Sequence, residues 1–385
     1  MDGAQEQEAR SAPVDIGSPE ALLSYEVYWR DLSPWLQQCG YILRPRFRPG
    51  WVPSWKESGQ IPFLAEDAHC LSLSQIIDAV RLADGLPVML KRISKKEHPL
   101  EEEISSFLSS KPLGMDPKNH CLPMLDILQV PDNPDTQIFV MKLMRKYDEP
   151  RFDTIGEAVD FFRQIFEGLQ FMHKNLVAHR DCCSNNIMMD GQHLYPEGFH
   201  PQFQEHRLKF DDGKPKHITR TQAPPKYYFI DFGISVKFEP DEPRTVIPIR
   251  GADSTVPEFK NGGDLGPLDP FATDVYFLGN LIREEFVDGQ TDPRFLLSDG
   301  RIGFEFMRPL VSDMVNVDPK KRPTMDEVVE RFEKIMSGLS SWKLRSRVRS
   351  KTDLFILDIA RIARYWYRRI GFIIRGVPPI PVITA

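Results

Sequence analysis

The feature that most constrains this chain is a change of hydrophobic period near Pro150. Before it, apolar side chains alternate in short runs. The stretch "CLSLSQIIDAVRLADGLPVMLKRIS" (70–94) alternates on both sides of Asp84-Gly85, a pattern that predicts a hairpin. "TQIFVMKLM" (136–144) reads as the last strand of a small sheet. After Pro150 the spacing becomes three and four. "GEAVDFFRQIFEGLQFMHKNL" sets Val159, Phe162, Phe166 and Leu169 on one face of a buried helix. "HPLEEEISSFLSS" predicts a helix carrying Leu100, Ile104, Phe107 and Leu108 on one side. Short strands are expected at "NNIMMD" and "YYFIDFG", and helices at "TDVYFLGNLIREEF" and "TMDEVVERFEKIMSGL". A β-rich part followed by a helical part predicts an α+β fold of two lobes, a small β-rich N-lobe and a larger helical C-lobe.

Other properties narrow the classes. The first twenty residues are polar and acidic, with no signal peptide, and no apolar run approaches the roughly 18 residues of a membrane-spanning helix. Five cysteines without a CxxC pair indicate neither a zinc site nor a disulfide framework. An intracellular setting, cytoplasmic or nuclear, is the expectation. A net charge of −6 argues against nucleic acid as a partner. The charge is uneven: residues 342–376 hold ten Lys plus Arg and two Asp, a local +8 that leaves −14 elsewhere. In 354–374, helical phasing collects Ile356, Ile359, Ile362, Ala363, Trp366, Ile370 and Ile373 on one side and Arg361, Arg364, Arg368 and Arg369 opposite. Such a helix can lie peripherally on an anionic membrane or dock on a partner; packing on the chain's own acidic body is the alternative.

The expected organisation is a disordered tail (1–20), an ordered Trp- and Arg-rich extension (21–62), an N-lobe (63–145), a C-lobe (146–340) and a basic tail (341–385). Residues 191–226, inside the C-lobe, are rich in Gly, Pro and His. His193, His200, His206 and His217 lack close ligand spacing, so a solvated insertion is expected rather than a metal site.

The order of short motifs carries the functional reading. "VMLK" ends at Lys91, "EEEI" opens at Glu101, "HRD" stands at 179–181 and Asn186 follows. "DFG" begins at 231, "VPE" at 256, "TDVYFLG" surrounds Asp274 and "DPKKRPT" surrounds Arg322. This series resembles the eukaryotic protein kinase family over residues 63–340. The Trp- and Arg-rich preface also resembles that of uncharacterised fungal kinase-like proteins.

The resemblance implies ATP, Mg²⁺ and a protein substrate, and a role for each matched residue. Lys91 would pair with nucleotide phosphates and be held by Glu101, with Glu103 as the rival carboxylate. Asp181 would orient the substrate hydroxyl and accept its proton. Asn186 and Asp231 would hold Mg²⁺ through hard oxygen ligands. Met141 and Met144 fall where the family's adenine-contacting hinge would lie; core packing explains two methionines equally. His179, Arg180, Phe232 and Gly233 would be structural. Glu258 would pair with Arg322, and Asp274 would anchor the catalytic loop.

Departures from the pattern shape the expected activity. No glycine occurs between Ile61 and Asp84, so the family's Gly-rich, phosphate-covering loop is absent. Cys183 stands where serine/threonine kinases place Lys, and Asn185 where tyrosine kinases place Arg. Lys237 or Arg250 could supply the missing cation if the segment after Asp231 folds back. Thr245, Ser254 and Thr255 are candidate phosphorylation sites, with Arg180 as a phosphate partner or a structural arginine. Three readings follow, in order: a slow or conditionally active protein kinase, Ser/Thr rather than Tyr; a nucleotide-binding pseudokinase or scaffold; and a small-molecule kinase.

Overall fold

Alternation and helical spacing both become structure where they are strongest. The computed structural model describes residues 19–208, 210, 213–249, 251, 253–259, 267–289, 300–351 and 359–382. The fold is mixed α+β, rich in strands in its N-terminal part and helical in its C-terminal part. Most of the expected 1–20 tail lies outside the described residues. The chain divides into two compact units, 1–92 with 199–214, and 93–198 with 215–385.

In the first unit, α1 (Ser24–Gln38) is followed by β1 (Tyr41–Leu43), the short α2 (Ser54–Ser58), β2 (Ile76–Arg81) and β3 (Pro87–Ser94). The three strands are antiparallel, with Tyr41 opposite Arg81 and Ile76 opposite Lys91. The β2–β3 hairpin turns at Gly85, whose φ of 72° is a conformation that costs other residues a Cβ clash. The Asp84 carboxylate accepts from the Leu86 amide there.

The extension is organised by a buried ion pair. Arg46 and Glu26 are both fully buried and 3.1 Å apart. The Arg46 guanidinium also donates to the carbonyls of Pro19, Ala21 and Asp67 and stacks on Trp51. Those acceptors offset the desolvation of its charge. Trp29 and Trp55 are buried, as the aromatic content of the stretch leads one to expect.

Residues 199–214 belong to this first unit. His200 is buried against Glu66, which Arg44 also contacts. Burial pushes the Glu66 carboxyl up, but hydrogen bonds from His200 and Arg44 outweigh it and hold the pKa at about 2. His69 packs on Phe203 and Phe210.

The second unit opens with α3 (Glu101–Ser109) and the antiparallel pair β4 (Met124–Gln129) and β5 (Thr136–Lys142). After β6 (Arg145–Lys146) comes α4 (Ile155–Lys174), capped by the Thr154 hydroxyl accepting from the Glu157 amide. Its Val159, Phe162, Phe166 and Leu169 are buried. Phe162 and Phe166 meet Phe332 of α7 (Met325–Ser337) edge to face. Each such ring contributes about 1.5–3 kcal/mol through burial.

Strands β7 (Val177–Ala178), β8 (Ile187–Met189), β9 (Tyr227–Phe229) and β10 (Val236–Lys237) form two small sheets, β6–β8–β9 and β7–β10. Helices α5 (Pro270–Ile282), α6 (Arg308–Met314), α8 (Ser341–Leu344) and α9 (Ile359–Ile374) complete the unit. No described helix is long and apolar enough to cross a membrane.

Two expectations are corrected here. The 191–226 insertion is not solvated throughout: Leu194, Tyr195, Phe199, His200, Thr219 and Arg220 are buried. Arg220 donates to the Tyr147 carbonyl and stacks on Phe152, a polar solution that hydrophobic periodicity does not register. No metal-binding cluster exists among the described residues. The tail helix α9 docks by a face that carries Arg368 and Arg369. Tyr365, Arg369 and Phe372 are buried, while Trp366, Ile370 and Ile373 remain exposed. Arg368 pairs with Asp153 at 2.5 Å and Arg369 stacks on Trp342 at 3.8 Å, contacts that compete successfully with burial of the isoleucines. Residues 354–358, including Ile356, and the side chains of Ile359 and Arg361 lie outside the described residues.

His120 gives this unit a pH dependence. Its ring is buried, and burial pushes its pKa down to about 3. Nδ1 donates to the Tyr227 carbonyl at 2.8 Å, which suits the neutral ring. The unfolded chain binds the proton from about pH 6.5 downward and the folded chain does not, so stability falls on acidification. The expected loss is about 2 kcal/mol between about pH 6.5 and 5. Denaturant titrations across that window should show the slope in the wild type and its reduction in His120→Gln.

Candidate active site

The catalytic-loop candidate runs from β7 to β8, and a buried carboxylate fixes its start. Asp274, on α5, is fully buried. Its oxygens accept from the amides of His179 at 2.8 Å and Arg180 at 2.6 Å, and lie 3.2 Å from His173 Nε2. Two backbone donors at 2.8 and 2.6 Å on one carboxylate fix the loop's entry firmly. Arg180 takes the left-handed conformation, φ 69°, and this turn in the chain is held by the Asp274 pair. Its guanidinium donates to the carbonyls of Ile234 and Ile247, a structural use that engages both terminal nitrogens.

His179 is fully buried, and burial pushes its pKa down. Its Nε2 donates to the Ile230 carbonyl at 3.0 Å, leaving Nδ1 to accept from the Asp181 amide at 3.3 Å. The ring packs on Phe229 and Phe232. Both ring nitrogens are thus engaged in bracing the loop.

The next residues converge. Asn186 Nδ2 donates to Asp181 Oδ2 at 2.9 Å and to the Asp181 carbonyl at 3.0 Å. Asn186 also accepts the Ile230 amide at 2.9 Å, and β8 pairs with β9 through Ile187 and Phe229. Asn186 and Asp231 therefore stand at adjoining ends of two paired strands. Asp231 is left-handed, φ 65°, and its Oδ1 accepts from the Gly233 amide at 3.3 Å. A non-glycine residue held in this conformation stores strain that the surroundings must offset, as is common at functional turns.

Glu101 is the buried member of its acidic run, while Glu103 is exposed and meets Lys237 at 3.3 Å. A Cβ added at Gly233 would stand 2.9 Å from His98 Nδ1 and 3.3 Å from Glu101 Oε2, so the DFG glycine brings these groups together by having no side chain. His98, whose Nδ1 is 3.0 Å from the Gly233 carbonyl, was not visible as a site residue in the sequence. Its place just before the acidic run is the only signal it left. Lys91 lies on β3 in the first unit, opposite Ile76. Met141, next to last in β5, is half-buried opposite Met124, and Met144 is buried.

Arg322 and Glu258 form a bidentate pair at 2.7 and 2.6 Å. Arg322 further donates to the carbonyls of Asn316 and Ala272 and stacks on Tyr276. Its buried charge is thus matched by one carboxylate and two carbonyls, the condition for a buried pair to be tolerated.

The cysteines are packing residues. Cys182 is fully buried, which pushes its thiol well up. Burial and then the Asp181 charge push the Cys183 thiol up to about 12. Neither is a thiolate near neutrality, so neither is a nucleophile. Lys237 does not replace the missing cation: besides Glu103, it sits over the Phe107 ring. Arg250 lies outside the described residues.

Gly251 closes on the site from the segment after Asp231. A Cβ there would fall 2.5 Å from Asp181 Oδ1 and 2.9 Å from its Cγ, closer than any side chain can approach. Only glycine allows this backbone to lie on the carboxylate.

This chain is similar to a serine/threonine kinase. The relative is described as serine/threonine-protein kinase CAK1 of Saccharomyces cerevisiae, 28% identical over 154 residues. The match covers 40% of this chain and 32% of that protein. No family model matches the chain. The similarity supports a distant, protein-kinase-like relationship.

The donor set fits the metal that such a relationship implies. Mg²⁺ is usually held by one or two protein oxygens with water and phosphate completing six, so a full protein cage is not required. Asp231 and Asn186 provide that number from adjoining strand ends, with Asp231 turned out of the strand by its positive φ.

Proposed function

We propose that this chain is an ATP- and Mg²⁺-dependent protein kinase that transfers the γ-phosphoryl group to a protein hydroxyl, Ser/Thr rather than Tyr, at a low intrinsic rate. The observation that carries this reading is the Asn186–Asp181 hydrogen bond in a loop pinned by Asp274. It holds a carboxylate beside a metal-type ligand, in a loop that leads into the strand paired with the one before Asp231, an arrangement suited to phosphoryl transfer. In this reading Asp181 accepts the proton of the substrate hydroxyl. Asn186 and Asp231 hold Mg²⁺, which supplies charge neutralisation for the phosphates when bound. Lys91 is the cation assigned to those phosphates. The Arg322–Glu258 pair supports a protein substrate over a small molecule, and the yeast relative's description supports Ser/Thr. An intracellular setting, cytoplasmic or nuclear, goes with the proposal.

A second reading, a nucleotide-binding pseudokinase, draws on two observations. Gly251 lies against the Asp181 carboxylate, and Cys183 replaces a cation. One experiment separates the two. MgATP at about 100 times its Kd adds about 2.7 kcal/mol to a protein that binds it, a measurable rise in melting temperature. The rise should appear in the wild type and vanish in Lys91→Ala and Asp231→Ala. Transfer of labelled γ-phosphate to mixed Ser/Thr peptides then tests for catalysis. Stabilisation without transfer selects the pseudokinase, and no stabilisation at all overturns nucleotide binding.

A further inference from the structure

A second charged site lies in the same unit, away from the catalytic loop. A small cleft, enclosing about 20 Å³ and opening to solvent, is lined by Asp153, Thr154 and Thr221 and by Arg345, Arg368 and Arg369. Thr154 caps the N-terminus of the twenty-residue α4, the end of a helix that favours negative charge.

The arginines are unevenly satisfied. Arg368 pairs with Asp153. Arg369 is only 6% exposed, and its Nη1 donates to the Tyr365 hydroxyl at 2.8 Å. Its Nε and Nη2 are buried without an acceptor. Stacking on Trp342 and Trp366 satisfies the face of the guanidinium and leaves these N–H edges unmet. A buried charged donor without an acceptor is costly, and the ordinary remedy is a bound anion or water. Arg345 donates to the Val377 carbonyl. Neither Arg345 nor Arg369 forms an ion pair among the described residues.

Arginines outnumber carboxylates around the cleft, where Asp153 pairs with Arg368. Burial and then the neighbouring Arg369 push the Arg345 pKa down, as two cations without a shared anion require. Asp153 feels Arg368, Arg220, Arg347 and Arg364. The other nearby carboxylate, Glu157, is engaged by the Thr221 hydroxyl and the amides of Asp153 and Thr221.

We propose that this cleft binds a phosphate group, with Arg345 and Arg369 as its principal cations. A divalent tetrahedral oxyanion matches two guanidiniums in charge and offers several acceptors to their N–H edges, which a single carboxylate does less well. The phosphate is either free in solution or part of a lipid headgroup. The exposed Ile370, Ile373 and Ile374 of α9 suit the second source, since they could enter a bilayer surface while the headgroup fills the cleft.

The test uses the full chain. Potassium phosphate should raise the melting temperature saturably above potassium chloride at equal ionic strength. The apparent Kd should rise at least about tenfold in Arg345→Gln and in Arg369→Met, each loss corresponding to about 1.4 kcal/mol. Arg345 is half-exposed, so Arg345→Gln keeps the test valid should Arg369→Met fail to fold. Sedimentation with phosphatidylcholine vesicles, with and without phosphatidic acid, identifies the source. A response to dissolved phosphate assigns a free ligand. Recruitment to phosphatidic acid alone, lost in Arg345→Gln, assigns a headgroup. The proposal is overturned if the wild type responds to neither, or if Arg345→Gln responds as the wild type does, which is the result expected of phosphate bound at the nucleotide site instead.

Discussion

Asp181→Asn is expected to lower phosphoryl transfer by about 10²–10⁴-fold, the usual contribution of a positioned general base. The fold and the MgATP-induced stabilisation should persist. Asn is isosteric with Asp, and its amide oxygen can still accept the Asn186 Nδ2 hydrogen that now reaches Asp181 Oδ2. The loop itself is held by Asp274 through the two preceding amides, and that restraint is untouched. What the substitution removes is the basic oxygen proposed to receive the hydroxyl proton. Single-turnover transfer measured beside a thermal shift isolates this effect. Equal rates in wild type and Asp181→Asn, with nucleotide still bound, would remove Asp181 from catalysis and leave the pseudokinase reading in place.

How far the sequence carried this picture depended on which force shaped each part. The hairpin at Gly85 and the buried face of α4 were legible because burial follows period two or period 3.6, and both periods can be counted. The acidic run was partly legible: the resemblance implies Glu101, since Ile104 and Leu108 fall where the family's helix buries apolar residues, and Glu101 is the buried one. Elsewhere polar contacts decided. Arg220 is buried on Phe152 and the Tyr147 carbonyl, so a segment rich in Gly, Pro and His folds inward where composition suggested solvent. Arg369 on Trp342 turns α9 over, against its own count of isoleucines. Gly251 reads as an ordinary loop glycine until its distance to Asp181 is known. Cation–π stacks and close backbone approaches have no period, and no pattern search along the chain can find them.

Cys183→Lys is expected to raise the rate of transfer by about 10²–10³-fold, the inverse of losing one preorganised electrostatic contact. The wild-type side chain brings no charge to the site: burial and the Asp181 carboxylate push its thiol up to about 12, so it stays protonated near neutrality. Its amide donates to the Asp181 carbonyl at 2.8 Å, a backbone bond that any residue here retains. Lys237 is held by Glu103 and cannot serve as the missing cation without leaving it. A lysine at 183 would place its ammonium beside Asp181, where it can neutralise charge developing on the transferred phosphoryl group. Bulk is the competing explanation, because a longer side chain could also displace the Gly251 backbone from the Asp181 carboxylate. Cys183→Met separates the two, being long and neutral. Single-turnover rates under reducing conditions should rank Cys183→Lys above the wild type, with Cys183→Met unchanged. A rise of equal size in both variants would mean that the closed backbone, and not the absent cation, limits turnover.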